Sequence, residues 1–306
     1  MKYFIITVDT EGDNLWNYTK GQEVKTDNTL FIPRFQDMCE RYRFKPVWLT
    51  NYEMACDQRY VDYIKPKMEA GLCEVGIHVH AWNNPPLYRL DAKYAGNPYL
   101  IEYPDDVMRE KFKTTYNLLK DKFGIEVKSH RAGRWAMDDR YFALLKDFGI
   151  EADCSHTPGV SWMNAPGETM FGTDYSMVQN CPNYINGILE IPMTIRKMHI
   201  SGKGSIRHKL RVFLQGDNVW LRPASSTVGE MLRLCKHVNS DSKVDYLELM
   251  LHSSEMMPNG SPYFKDEKAI EELYSSIEKV FEYVRQLGYE GITMAQYCET
   301  YKNKSR

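Results

Sequence analysis

No stretch of the 306-residue chain approaches the about 18 successive apolar residues of a membrane-spanning helix, so a transmembrane segment is not expected. The first residues, MKYFIITVDTEGD, lack the long apolar region and small-residue cleavage site of an export signal, since acids follow a short apolar run at once. A cytoplasmic location is the expectation. The seven cysteines (Cys39, Cys56, Cys73, Cys154, Cys181, Cys235 and Cys298) are odd in number and form no Cys-x-x-Cys pair. That argues against a disulfide framework and against a cysteine-built zinc site. No sign of charge dominates: Lys and Arg total 39 against 41 Asp and Glu, so nothing in the overall field favours nucleic acid as a partner. Repeats, low-complexity tracts and linkers are also missing, and one domain over residues 1–306 is expected.

What is present is a regular alternation. Apolar, β-branched runs occur at YFIITVD, KPVWLT, CEVGIHVH, VKSHR, ILEIPM, YLELMLH and GITMAQ. Between many of them the spacing turns helical, over roughly 29–43, 57–70, 104–122, 138–148, 228–238 and 266–287. Strand, helix, strand is the pattern of an α/β fold with a parallel sheet, either a βα-barrel or an open doubly wound sheet. Residues from about 157 to 225 are richer in Gly, Pro and Asn and predict a loop-rich insertion.

In a βα-barrel the C-terminal ends of the strands meet at one rim, where such folds keep their chemistry. Asp9 and Glu11 end the first run, His78 and His80 the third, Arg131 the fourth and His252 the run before residue 253. Residues two apart on a strand share a face, so His78 and His80 aim at one point, and so do Asp9 and Glu11. Carboxylate and imidazole suit zinc and other divalent first-row metals, and three protein ligands leave positions for water and substrate. One acid can ligate while the other serves as base, and a histidine from another strand can protonate a leaving group.

The motifs TVDTEGD, EVGIHVHAW, HRAGRW, ADCSHTPG and LMLHSSE, in that order, resemble those of the polysaccharide deacetylases with NodB homology, carbohydrate esterase family 4, and most of all their WalW-like branch. The resemblance runs from residue 3 to about 263. It implies a distorted (β/α)7 barrel and a metal-dependent hydrolase that removes acetyl groups, chiefly N-acetyl, from a carbohydrate. It casts Asp9 as catalytic base, Glu11 and His78 as metal ligands, Arg131 as the group orienting the base, and His252 as the acid. It also casts Asp153 as the acid that tunes His252, and Trp135 as the aromatic of the arginine motif. The family commonly places its second histidine four residues after the first, but position 82 is Trp, so His80 is assigned as second ligand on strand geometry. The metal expected is zinc, with cobalt, nickel or iron as alternatives. His156, Trp162 and Glu255 lie in loops near the same rim and are candidate substrate contacts beside Trp135.

One stretch falls outside these motifs. RKMHISGKGSIRHKLRVF carries Arg196, Lys197, Lys203, Arg207, Lys209 and Arg211 without an acid. It predicts either a solvated basic face or a platform for a phosphate- or lipid-carrier-linked sugar or an anionic membrane surface. Its GKGS lacks phosphate-loop spacing. Two other activities remain open: another C–N hydrolase on the same scaffold, a deformylase or cyclic amidase, and a non-catalytic carbohydrate-binding protein that uses the 21 Tyr and 6 Trp as stacking faces.

Overall fold

The computed structural model describes residues 1–200 and 204–304, so Lys203 of the basic stretch lies outside the described residues. The chain runs β1 (Lys2–Thr10), α1 (Ile32–Arg41), β2 (Pro46–Thr50), α2 (Tyr52–Cys56), α3 (Gln58–Glu69) and β3 (Glu74–Val79). It continues through α4 (Asp105–Phe123), β4 (Ser129–Ala132), α5 (Asp139–Asp147), β5 (Ala152–Asp153), β6 (Asn183–Ile185) and β7 (Ile188–Glu190). After β8 (Ile195–Met198), α6 (Ile206–Gln215), β9 (Asp217–Trp220) and α7 (Val228–Asn239) come β10 (Tyr246–His252), α8 (Glu267–Gln286), β11 (Tyr289–Gly291) and α9 (Met294–Lys304).

Seven strands lie side by side in the order β10, β1, β2, β3, β4, β5, β7, all parallel. β6 adds antiparallel to β7, and β11 pairs with the start of β1. Parallel strands covered by helices are buried on both faces, which is why β1 from Tyr3 onward and all of β2 are sequestered. No ladder joins β7 to β10. The segment after β7 spans that seam instead: Tyr246 donates its hydroxyl to the Pro192 carbonyl, the Glu248 amide donates to Thr194 Oγ1 at 2.8 Å, and the Met250 amide donates to the Leu221 carbonyl at 3.1 Å. The result is a distorted barrel, as the motif order implied.

Helix ends follow local chemistry. Asp266 caps α8 through the Ala269 amide, Thr227 and Glu230 form a reciprocal capping box on α7, and α4 stops at Gly124, whose φ of 73° suits glycine. One expectation needs correction. GITMAQ is not a strand, because β11 ends at Gly291, and Thr293 and Gln296 cap each other so that α9 starts at Met294. Within 157–225 loops carry most of the residues, and β6, β7, the antiparallel β8–β9 pair and α6 are set among them. None of the described helices is long and apolar enough to cross a membrane.

α4 also holds the loop that follows β3. Lys111 is buried, and its ammonium donates to the carbonyls of Ala81, Asn84 and Pro86 at 2.9, 2.8 and 2.6 Å. Burial alone pushes this lysine down to about 8, and the three carbonyls favour the charged form. Lys111→Met should therefore cost about 3 kcal/mol in urea unfolding, because the Ala81 and Asn84 carbonyls lose their donor in buried surroundings and the Pro86 carbonyl loses it at their edge. Limited proteolysis should open first within 81–90, and unchanged cleavage there would show that the loop is held by something else.

Candidate metal centre

Strand register assembles the site. β1 and β10 run in register with Asp9 opposite His252, and β3 and β4 with His78 opposite Arg131, so four chemically active side chains start from adjoining strand ends. Glu11 follows β1 and His80 follows β3, and all of Asp9, Glu11, His78 and His80 are buried. His80 Nε2 lies 3.0 Å from His78 Nε2 and 3.2 Å from Glu11 Oε2, and His78 Nε2 lies 3.7 Å from the same carboxylate oxygen. A residue larger than glycine could not follow β4, because a Cβ at Gly133 would collide with the Val79 carbonyl and the His80 ring.

The cluster fits a divalent ion. His78 Nδ1 lies 2.8 Å from the Arg131 carbonyl, which can only accept, so Nδ1 carries the proton and Nε2 turns a lone pair toward the cluster. Glu11 Oε2 is buried with no hydrogen-bond partner. Burial, aided by His78 and His252, holds His80 well below its ordinary range and keeps it neutral, as ligation requires. Ligands about 2.1 Å from a tetrahedral centre stand ~3.4 Å apart, and the three separations found here bracket that figure.

Beside the cluster sits Asp9. Arg131 is fully buried, donates to Asp9 Oδ1 at 2.5 Å and to Thr7 Oγ1 at 2.7 Å, and also donates to Glu248. Burial alone would raise the Asp9 carboxyl, but Arg131, His78 and His252 outweigh it and hold it at about 2. Its free oxygen, Oδ2, faces inward, 4.0 Å from His78 Nε2 and 3.7 Å from His252 Nε2. Burial raises Glu248 to about 7 despite Arg131, so two acids share one guanidinium and Asp9 is the more firmly ionised.

His252 is oriented by an acid other than the one expected. Its Nδ1 lies 3.2 Å from Glu255 Oε1, which also accepts from Arg222 Nη2 at 2.9 Å, so Nε2 points at Asp9 and Glu11. Glu255 is thus a buried partner behind the imidazole and not a wall of the pocket. Asp153 does not reach His252: it bonds His130 Nδ1 at 2.6 Å and Ser155 Oγ at 2.8 Å, next to Glu190 on β7. His156 also leaves the rim, its ring packing against Tyr175 and Phe142. His130 is buried between Asp153 and Tyr141.

Trp135 and Trp162 do line the pocket, a cavity of about 440 Å³. The turn that presents Trp135 is strained, with φ of 55° at Arg134 and 64° at Trp135. It is held by Arg134 on the Asn97 and Pro166 carbonyls, by Tyr175 on the Trp135 carbonyl, and by the Arg131 guanidinium 5.0 Å from the Trp135 ring. Trp16, edge-on to His252 at 4.8 Å, and Trp82, stacked on His80 at 4.2 Å, were not foreseen as site residues, nor was Arg222. Trp82 stands where the family pattern has its second histidine, and that displacement was its only signal. A second cleft of about 890 Å³ shares Trp82 and Asn97 with the pocket and is walled by Tyr18, Tyr52, Tyr88 and Tyr103. Trp82 Nε1 and both amide atoms of Asn83 there are buried and unpartnered.

No family model matches the sequence, and no curated protein does. Solved structures do match. One, provisionally described as a polysaccharide deacetylase from Mycobacterium smegmatis, superposes with a TM-score of 0.55 at 13% identity over 99% of this chain and 92% of its own. A GH57 branching enzyme from Thermococcus kodakaraensis gives 0.54 at 11% identity over 98% and 71%, and a 4-alpha-glucanotransferase from Thermococcus litoralis gives 0.51 at 11% over 98% and 38%. The chain shares the fold of these proteins.

Glu255 offers a direct check. Burial would raise its carboxyl, but Arg222 and His252 hold it at about 2, against an ordinary 4.5. A depressed acid contributes stability above its unfolded value and loses it as pH falls toward the folded one, here about 3 kcal/mol between pH 4.5 and 2. The stability difference between wild type and Glu255→Gln should therefore be large at neutral pH and should shrink as pH falls through this window in urea titrations. A difference independent of pH would contradict the pairing.

Proposed function

We propose that the chain is a metal-dependent hydrolase of the NodB-homology deacetylase kind, removing acetyl groups, N-acetyl foremost, from a carbohydrate or glycan precursor. The observation that carries this reading is the Glu11–His78–His80 cluster with a tautomer-fixed His78 and an unpartnered Glu11 oxygen. A divalent ion held there, zinc or another first-row metal, would supply a water acidic enough to ionise near neutral pH and polarise the acyl oxygen.

The protein's own groups divide the remaining work. Asp9, fixed through Oδ1 by Arg131, keeps Oδ2 free to take a proton from the attacking water. His252 Nε2, on the other side of Asp9, delivers a proton to the departing nitrogen or oxygen, while Glu255, itself held by Arg222, orients the ring through Nδ1. Arg131 acts as a positioning group with no access to substrate, being fully buried. Trp16, Trp82, Trp135 and Trp162 form the walls on which a sugar ring would rest.

The fold is shared with enzymes described as acting on α-glucans, so the side chains must decide. Glycoside hydrolysis needs two carboxylates facing each other across a bond, one of them protonated. Asp9 is instead firmly ionised and Glu11 is drawn into a pair of histidines, an arrangement that suits a metal better. The motif order adds the WalW-like branch to this reading. The adjoining tyrosine-walled cleft supports a substrate longer than one sugar, including one on a phosphate or lipid carrier. Among the described residues every cysteine is free, which agrees with a reducing, cytoplasmic setting.

Elemental analysis of protein purified without chelator or a metal column tests the reading. One divalent ion per chain is expected for wild type and little for His80→Ala or His78→Ala. Asp9→Asn should retain the ion and lose acetate release from N-acetylated sugars by about a hundredfold or more. A wild type that takes up neither zinc, cobalt nor nickel would overturn the proposal in favour of a carbohydrate-binding protein.

A further inference from the structure

The acid-free basic stretch has a feature that its composition did not disclose. Its helix, α6, shows solvent four large apolar side chains, Ile206, Leu210, Phe213 and Leu214, exposed by 87, 59, 65 and 68%. At 100° per residue these four fall within about 100° of the helix circumference. Arg207 borders the stripe on one side and Lys209 on the other, both exposed, while Val212, on the opposite face, is the one buried side chain of the helix. α6 is therefore fastened by its back, through Val212, through the Phe213 carbonyl bonded to His199 Nδ1 at 2.8 Å, and through Arg211 paired with Asp217 at 3.0 Å. Its apolar face is left bare.

We infer that α6 is an interfacial helix that lays this stripe into an anionic bilayer, with Arg207 and Lys209 on lipid phosphates at its borders. A large apolar face, flanking cations and modest overall hydrophobicity are what such a helix requires. The sequence from Ile195 to Gly216 contains no acid, so a second copy of this chain would present the same basic borders and be repelled. A protein groove would need acids on both sides of an apolar floor, whereas an anionic membrane provides that arrangement everywhere. The helix is joined to the site: α6 runs into β9, whose Trp220 sits 6.2 Å from Trp135 and 6.5 Å from Trp162, and Arg222 follows. Docking there would bring the metal pocket to substrates carried in the membrane, yet the inference stands on α6 alone and does not depend on the reaction assigned to that pocket.

Vesicle sedimentation tests it. Full-length protein should pellet with vesicles of phosphatidylcholine mixed with phosphatidylglycerol, stay in solution with phosphatidylcholine alone, and release as salt rises. Arg207→Gln with Lys209→Gln should weaken partitioning by about thirtyfold, at roughly a factor of five per charge. Phe213→Ser with Leu214→Ser should abolish it. All four positions are exposed, so thermal melting should match wild type, and the charge variant stands as the test if the apolar one melts early. Wild type that stays in solution with anionic vesicles would overturn the inference, as would variants that pellet like wild type. A concentration-dependent dimer abolished by the serine variant would reassign the stripe to a second copy.

Discussion

A single buried cation organises the barrel interior. Arg131 cannot lose its proton and is wholly out of water, so it is tolerable only where acids and acceptors surround it. Asp9, Glu248, Thr7 Oγ1 and the Cys154 carbonyl supply that shell from β1, β10 and the end of β5. The strands must therefore stand in one register, since a slip of one residue on β1 would turn both Thr7 and Asp9 to the other face. The same residue acts twice, because its backbone carbonyl fixes the His78 tautomer while its side chain ionises Asp9. In the proposed mechanism, metal affinity and base strength are thus coupled through one residue that substrate would never touch.

Around this hub each ligand-type residue has a dedicated partner. His252 has Glu255 and Arg222, His80 has the face of Trp82, and the β4 turn has Gly133 and two strained residues pinned by side-chain bonds. Strain of about 1–3 kcal/mol at a residue persists only where the surroundings over-determine it. Here Arg134 and Tyr175 do so, and the outcome is that the Trp135 ring lies over Arg131 and walls the pocket.

Strand ends were legible in the sequence because a period of two is rigid: His78 and His80, like Asp9 and Glu11, had to share a face. The helices α1, α3, α4, α5, α7 and α8, which carry an apolar face toward the core, were legible for the same kind of reason. What escaped depends on contacts across the barrel or on local bonds that override propensity. Nothing in ADCSHTPG says that Asp153 will meet His130 from the neighbouring strand in place of His252, whereas a short turn after β10 brings Glu255 back on the imidazole. GITMAQ reads as a strand until Thr293 and Gln296 satisfy each other and start a helix. α6 was hidden because its apolar residues are diluted by cations, and its periodicity faces solvent instead of the core.

The fold by itself does not select a reaction, since it is common to proteins described as a polysaccharide deacetylase, a GH57 branching enzyme and a 4-alpha-glucanotransferase. Selection lies in how the acids are spent. Where two carboxylates are left free to face a glycosidic bond, the scaffold suits sugar transfer. Here Arg131 holds Asp9 ionised and Glu11 faces two histidines, so the two acids do not stand as a free pair across one bond, and His252 Nε2 is the further polar group in reach of Asp9. An imidazole backed by a carboxylate is a better acid for an amine or alkoxide leaving an acyl group than a carboxylate already fixed in its ionised form. The chemistry this centre favours follows from that allocation of charge, and would change if Arg131 did.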